Sequence, residues 1–113
     1  MALALNVFKT VTNTVQQSEQ EIYTAPVGYT GVVLLAQVTN THPSSQTINL
    51  THRRRISGLD YDTEMLLDYP IPSSDTLNLL SGKLVLESGD KLVVNCSIND
   101  YLKLVISILE TLN

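Results

Sequence analysis

The chain has 113 residues, a formal net charge of −4 and one cysteine, and 43% of its residues are apolar while 16% are charged. These values are typical of a single globular domain rather than a disordered chain, and one cysteine excludes an intrachain disulfide. The acidic balance disfavours nucleic acid or an anionic membrane as a partner, and no apolar run approaches the ~18 residues of a membrane span.

The first eighteen residues, MALALNVFKTVTNTVQQS, are predicted to form an N-terminal arm or an extra strand. They alternate in polarity, are rich in Thr and Asn, and lack the basic segment that opens a secretory signal. An arm of this kind can pair with a neighbouring subunit. Residues 19–113 are predicted to form one β-sandwich domain.

The composition favours strands, because Val, Ile and Thr together account for 30 of the 113 residues. EIYTAP at 21–26 predicts a short strand that ends at a proline. VVLLAQVTN at 32–40 is apolar on both faces of an extended chain. Such a strand is either central in a sandwich or covered by a partner chain.

Strict alternation in that segment places Val32, Leu34, Ala36 and Val38 on one face. It places Val33 and Leu35 on the other face. If a partner covers this strand, one of its two apolar faces is an interface. Val33 and Leu35 are therefore candidate interface residues.

The middle of the chain predicts two more strands. TINLTH at 47–52 alternates, with Ile48 and Leu50 pointing inward, and TEMLLDYPIP at 63–72 is extended up to a double-proline exit. ISGLDY between them predicts a turn. SSDTLNLLSG, which follows, fits either one short helical turn or an extended chain.

The C-terminal part gives the clearest local pattern. GKLVLESGDKLVVNCSI at 82–98 reads as two alternating strands joined by a hairpin turn, ESGD, in which Gly89 supplies a positive φ. Leu102, Leu104, Ile106 and Ile108 then continue the alternation in a third strand. We expect three successive antiparallel strands here.

Together these segments predict seven or eight short strands separated by Pro, Gly, Ser and Asn turns. Strands at this spacing are typical of an all-β protein, an antiparallel β-sandwich of jelly-roll-like form.

No constellation for catalysis or cofactor binding emerges, so the sequence predicts no cofactor, no metal and no enzymatic activity. His42 and His52 lie ten residues apart without a neighbouring cysteine, whereas a metal needs three or four convergent ligands. Cys96 shares a face with apolar residues and is expected to be buried and inert. Asp60, Asp62 and Glu64 share one face of an extended chain, which fits a solvated turn better than a calcium site.

The stretch THRRR at 51–55 holds three of the seven basic residues. In an extended chain Arg53 and Arg55 point one way and Arg54 the other, so they do not form the stripe that follows a nucleic-acid backbone. One interpretation is local pairing with Asp60, Asp62 and Glu64 across a turn. The other is that Arg53, Arg54 and Arg55 reach carboxylates on another subunit, which makes them candidate interface residues.

The order of turns and apolar strands resembles that of small β-sandwich virion structural proteins of tailed bacteriophages, particularly cyanophages. The matching segments are Ala25-Pro26-Val27-Gly28, Pro70-Ile71-Pro72, Leu80 to Lys91, and Ser107 to Glu110. They span roughly residues 20–113, leaving the first eighteen residues and THRRR outside the pattern.

This resemblance implies a non-enzymatic virion component, assembled in the host cytoplasm and most often a head cement or decoration protein. It implies a homo-oligomer, with a trimer favoured, that contacts the major capsid protein or other virion proteins. A neck, tail or baseplate component is the alternative within the class. A glycan-binding sandwich for host recognition, using some of the five tyrosines, is the alternative from another class.

Overall fold

A computed structural model describes residues 5–113 and contains two antiparallel sheets packed face to face. Nine strands form the sheets, in chain order β1 (Asn6–Val15), β2 (Gln20–Thr24), β3 (Tyr29–Asn40), β4 (Gln46–Ile56), β5 (Leu59–Ile71), β6 (Thr76–Asn78), β7 (Leu84–Leu86), β8 (Lys91–Cys96) and β9 (Leu102–Leu112). The predicted all-β antiparallel sandwich is confirmed.

The first sheet, called sheet A, has the order β1-β9-β3-β6. The short strand β7 pairs with β3 along the same edge as β6, but nearer the start of β3. The second, called sheet B, has the order β2-β8-β4-β5. The chain changes sheet at every connection except β4 to β5 and β6 to β7. Most consecutive strands therefore face each other across the core instead of pairing edge to edge.

This topology contradicts the predicted hairpin around Gly89, because β7 lies in sheet A and β8 in sheet B. The turn itself exists: the Asp90 amide donates to the Glu87 carbonyl at 2.9 Å, and Gly89 has a φ of 88°. It redirects the chain from one sheet to the other. Alternation reports which face of a strand is buried, but it does not identify the strand's hydrogen-bonded neighbour.

Both sheets contribute their inner faces to one core. The inward residues predicted from alternation are confirmed, since the following six are at most 2% exposed: Ile48, Leu50, Leu102, Leu104, Ile106 and Ile108. Cys96 is also buried, as predicted. The aliphatic residues of β9, at the centre of sheet A between β1 and β3, fill the middle of this core.

A β-bulge in β3 changes which residues face the core. The register with β9 shifts between Val33 and Leu35, so that Leu34 is the inserted residue. Val33, Ala36 and Val38 are consequently buried, while Leu35 lies on the outer side. The predicted faces of this strand are therefore wrong beyond Val33.

The β4–β5 hairpin closes through two residues with positive φ, Ser57 at 52° and Gly58 at 80°. Ile56 pairs directly with Leu59, so the loop is a two-residue turn of the kind whose twist matches the strands. Strand β5 starts at Leu59, so the acidic residues from Asp60 to Glu64 lie in a strand and not in the predicted turn. The segment 73–82, expected as either helical or extended, contains the short extended strand β6.

The start of the chain belongs to sheet A. All ten residues of β1 pair with β9 of the same chain, and β1 forms one edge of the sheet. Residues 1–4 of the predicted arm lie outside the described residues.

One polar contact links the two sheets near that edge. Tyr23 of β2 donates to Glu110 of β9 at 2.6 Å, and Lys9 of β1 pairs with the other Glu110 oxygen at 3.0 Å. Burial, together with the neighbouring Glu110 carboxylate, raises the pKa of Tyr23. Gly31 lies beside the ring, where an added Cβ would be 2.8 Å from the Tyr23 hydroxyl. A side chain at position 31 would therefore displace this link.

Candidate interaction surface

The arginine triplet lies at the C-terminal end of β4. As predicted, alternation directs Arg54 to the side opposite Arg53. On the outer face of sheet B, Arg53 makes a bidentate contact with Asp62, at 2.8 and 2.9 Å. It also reaches Glu21 at 3.3 Å and Glu19 at 3.4 Å. The hydrogen bond to Asp62 raises the pKa of Arg53, and the same bond lowers that of Asp62.

Arg54 points to the opposite side and pairs with the turn that enters β8. Its Nε and Nη2 atoms donate to the two Asp90 oxygens at 3.1 and 2.9 Å, and Nη2 also contacts Glu87 at 2.8 Å. Arg55 pairs with Asp60 at 3.2 Å. Local pairing across the hairpin is therefore observed for Arg53 and Arg55, whereas Arg54 pairs with Asp90 and Glu87 instead of with β5.

Asp90 is the most buried member of this charged group, at 3% exposure. Besides Arg54 it accepts from His52 Nε2 at 3.0 Å and from the Glu87 amide at 3.0 Å. Burial alone would raise the pKa of Asp90, but these donors outweigh it and hold the pKa below its usual range. A carboxylate satisfied in this way fixes the end of β4 to the β7–β8 turn.

These contacts neutralise the triplet. On the outer face of sheet B, Arg53 and Lys91 meet three carboxylates, those of Glu19, Glu21 and Asp62. A basic surface for phosphate groups is consequently not formed by the three arginines.

The two sheets differ sharply in where they carry charge. Nine charged residues lie in the strands of sheet B: Glu21, Arg53, Arg54, Arg55, Asp60, Asp62, Glu64, Asp68 and Lys91. Three lie in the strands of sheet A, and two of those, Lys9 and Glu110, belong to the link with Tyr23. Among the described strand residues, Lys103 is the one charged residue on the outer face of sheet A, and the exposed Lys83 and Glu87 stand directly before and after β7.

An apolar row crosses that outer face from edge to edge. The strand registers align four residues side by side, Phe8 with Leu109, Leu109 with Val32, and Val32 with Val85. Phe8 is 76% exposed and Val85 54% exposed, and the two between them are half-buried. The next row carries Thr10, Ser107 and Leu35. We refer to this outer face of sheet A as face A.

The predicted interface residues are thus distributed over three environments. Leu35 lies half-buried on face A, next to the apolar row. Val33 is fully buried in the core, so its side chain is not available to a partner. Arg53, Arg54 and Arg55 lie on sheet B, where each already has a carboxylate partner. Phe8, which sequence reasoning missed, is the most exposed apolar residue of face A.

Cys96 and His42, whose side chains could be reactive, both make contacts within the fold. Cys96 is buried, its Sγ donates to the Ile98 carbonyl at 2.8 Å, and burial raises its pKa. His42 lies in the β3–β4 loop, where Nδ1 accepts from the Ser44 amide and the ring packs edge-on against Tyr101. Within residues 5–113, no group of three or more His, Cys, Asp or Glu residues is placed to hold a metal ion.

A shallow depression of about 350 Å³ lies on sheet A, lined by residues 12–14 of β1 and 103–105 of β9. Its walls carry Thr, Asn and aliphatic groups and a single lysine, without a nucleophile–base pair. In the part of the chain that the structure describes, no helix has the length and apolarity needed to cross a membrane.

Comparison with known proteins yields a structural similarity but no sequence relative. No family model matches the chain, and no curated protein matches it. Among solved structures, the fold is similar to part of a chain from the crystal structure of the T13 IBDV viral particle. The TM-score is 0.62 and the sequence identity 9%, over 97% of this chain and 32% of that one. The chain therefore spans about a third of the length of the chain it resembles.

Proposed function

We propose that this chain is a non-enzymatic structural protein of a virion. The observation that carries the proposal is face A, a sheet face on which Lys103 is the one charged strand residue and which an exposed apolar row crosses. A surface of this kind marks a protein that buries it against another subunit. The similarity of the fold to part of a viral-particle chain supports the same conclusion.

Within the virion, we propose the role of a head cement or decoration protein of a tailed bacteriophage. The resemblance in turn pattern supports this position, and the distribution of charge fits it. Face A is suited to dry contact with neighbouring subunits, whereas the charged outer face of sheet B is suited to water. The proposed partners are further copies of the chain, with a trimer favoured by the resemblance, and the major capsid protein.

A neck, tail or baseplate position is the alternative within the same class. The same sandwich and the same apolar face would serve there. The two positions differ in where the protein is found on the particle.

A glycan-binding role has one observation in its favour, the partly exposed tyrosines. Tyr61, Tyr69 and Tyr101 are between 38% and 52% exposed, and aromatic faces can stack on sugars. Tyr23 is excluded from such a role by its burial and its bond to Glu110. Binding on a glycan array that is lost in Tyr61→Ala would favour this candidate, and an array without signal would remove it.

Immunogold labelling of purified particles tests the proposal. Label distributed over the head is expected for a cement protein. Label confined to the neck or tail would transfer the protein to the alternative position. Absence of the protein from particles would contradict a virion role altogether.

A further inference from the structure

We propose that face A packs against face A of a second copy of the chain, with a two-fold axis parallel to the strands. This inference rests on the proposed function in assigning face A to subunit contact, and it names the occupant. The registers of β1, β9, β3 and β7 place four apolar residues in line across the face: Phe8, Leu109, Val32 and Val85.

Charge selects the occupant. A charged group brought onto face A would lose its hydration, and the apolar row offers no ion to replace it. The one charged strand residue of the face, Lys103, lies in a distant row with Thr14 and Thr39. Lys83 and Glu87 stand at the two ends of β7, outside the apolar row. The best match is therefore another sheet face that is poor in charge. Within the described chain, the outer face of sheet B fails this requirement and face A meets it.

The size of the face meets the threshold for a biological interface. Four strands about 4.8 Å apart give a width of about 19 Å, and the eight residue steps from Asn6 to Thr14 give a length of about 27 Å. The flat area is then about 500 Å² per chain. Two copies bury about 1,000 Å² before the relief of the side chains is counted, which meets the threshold of about 1,000 Å² for a biological interface.

The order of side chains within the row favours one orientation. A two-fold axis along the strands, midway between β9 and β3, reverses the row in the second copy. Phe8 at one end then lies opposite Val85 of the second copy, and Leu109 lies opposite Val32. The largest side chain meets the space above a small one, as in the interdigitated cores of packed sheets.

The oligomeric state of the purified chain tests the pairing. The wild-type chain is expected to sediment as a dimer, in place of the trimer that the resemblance favours. The double substitution Phe8→Ser with Val85→Ser is expected to weaken this dimer at least tenfold. Both positions are more than half exposed, so the fold should be retained, which circular dichroism checks. Leu67→Ser is the matched control, because Leu67 is 71% exposed on β5 of sheet B. It should leave the dimer unchanged.

Crosslinking with a short bismaleimide tests the orientation. A chain carrying Phe8→Cys and Val85→Cys is expected to form a covalent dimer with this reagent, because packed sheets lie about 10 Å apart, beyond the reach of a direct disulfide. Within one chain these positions are three strand spacings apart, about 14 Å, so a reagent shorter than that distance does not join them. A chain carrying Leu67→Cys and Val85→Cys should not be crosslinked, and the native Cys96 is buried.

The outcomes separate this inference from the proposed function. A monomeric wild-type chain whose attachment to particles is lost in the Phe8→Ser, Val85→Ser variant would overturn the self-pairing and retain the virion role. A trimer, or a dimer indifferent to these substitutions, would also overturn the pairing. A dimer that depends on face A but is absent from particles would uphold the pairing and contradict the virion role.

Discussion

The carboxylate of Asp90 is the shared acceptor for the polar groups that join the end of β4 to the β7–β8 turn. This carboxylate is almost fully buried and accepts from Arg54, His52 and the Glu87 amide. In Asp90→Asn the side chain keeps its volume but loses its charge, and an amide nitrogen replaces one acceptor. We expect the free energy of unfolding to fall by about 2 kcal/mol in chemical denaturation at neutral pH.

Asp60→Asn is the control for that change, because Asp60 is an exposed residue that pairs with the exposed Arg55. Its effect should stay within about 0.5 kcal/mol. Equal effects of the two substitutions would contradict the assignment of Asp90 as the buried anchor.

The same carboxylate predicts a dependence on pH. The pKa of Asp90 is lower in the folded chain than its ordinary value of 3.8, so the unfolded chain binds more protons in that range. Its stabilising contribution is complete above the ordinary value and is lost as the pH falls through the folded value. As the pH falls from about 5 to about 2, we expect the free energy of unfolding to decrease less steeply for Asp90→Asn than for the wild-type chain. Parallel curves would contradict this.

Gly31 and Tyr23 form a second residue-scale test. In Gly31→Ala the new Cβ would be 2.8 Å from the Tyr23 hydroxyl, so the ring must move away from Glu110. Tyr23→Phe removes that oxygen and leaves the buried carboxylate with one donor fewer, at a cost of about 2 kcal/mol. Because both changes disturb the same contact, we expect the double variant to be less destabilised than the sum of the two, by about 1 kcal/mol. Additive effects in denaturant titrations would show that the ring and position 31 are independent.

At the scale of the element, the β4–β5 hairpin depends on the conformation of its turn. Gly58 has a φ of 80° and open space around its Cα, so Gly58→Ala is opposed by backbone strain alone. We expect a loss of about 1 kcal/mol in stability. Gly82→Ala is the matched control, since Gly82 also has open space but no positive φ, and it should be neutral or slightly stabilising. A similar loss at both glycines would contradict the turn geometry.

The strands also show that sequence patterns predict which face of a strand is buried but not which strands pair. Alternation identified the inward residues of β4 and β9, because burial on one face imposes a period of two. It failed at Leu34, since one inserted residue reverses every later side chain. It also assigned β7 and β8 to one hairpin, because pairing partners depend on contacts distant in sequence. Face A was missed for the same reason, as its row joins residues 8, 32, 85 and 109.

At the scale of the whole molecule, the two outer faces predict opposite responses to salt. If face A makes the subunit contact, association depends on apolar burial and not on ion pairs. Raising the salt from about 0.1 M to about 1 M shortens the Debye length from about 10 Å to about 3 Å. It should leave association measured by sedimentation unchanged or slightly stronger. An interface made by Arg53, Arg54 and Arg55 would instead weaken steeply.

Charge reversal separates the same two interfaces by mutation. Arg53→Glu places a fourth carboxylate among Asp62, Glu21 and Glu19, so it should lower the stability of the folded chain. Association should persist wherever the variant remains folded, because Arg53 lies on the face opposite to the apolar row. Salt-sensitive association that Arg53→Glu abolishes in a folded chain would transfer the interface to sheet B. The ion pairs around β4 would then act between subunits as well as within the hairpin.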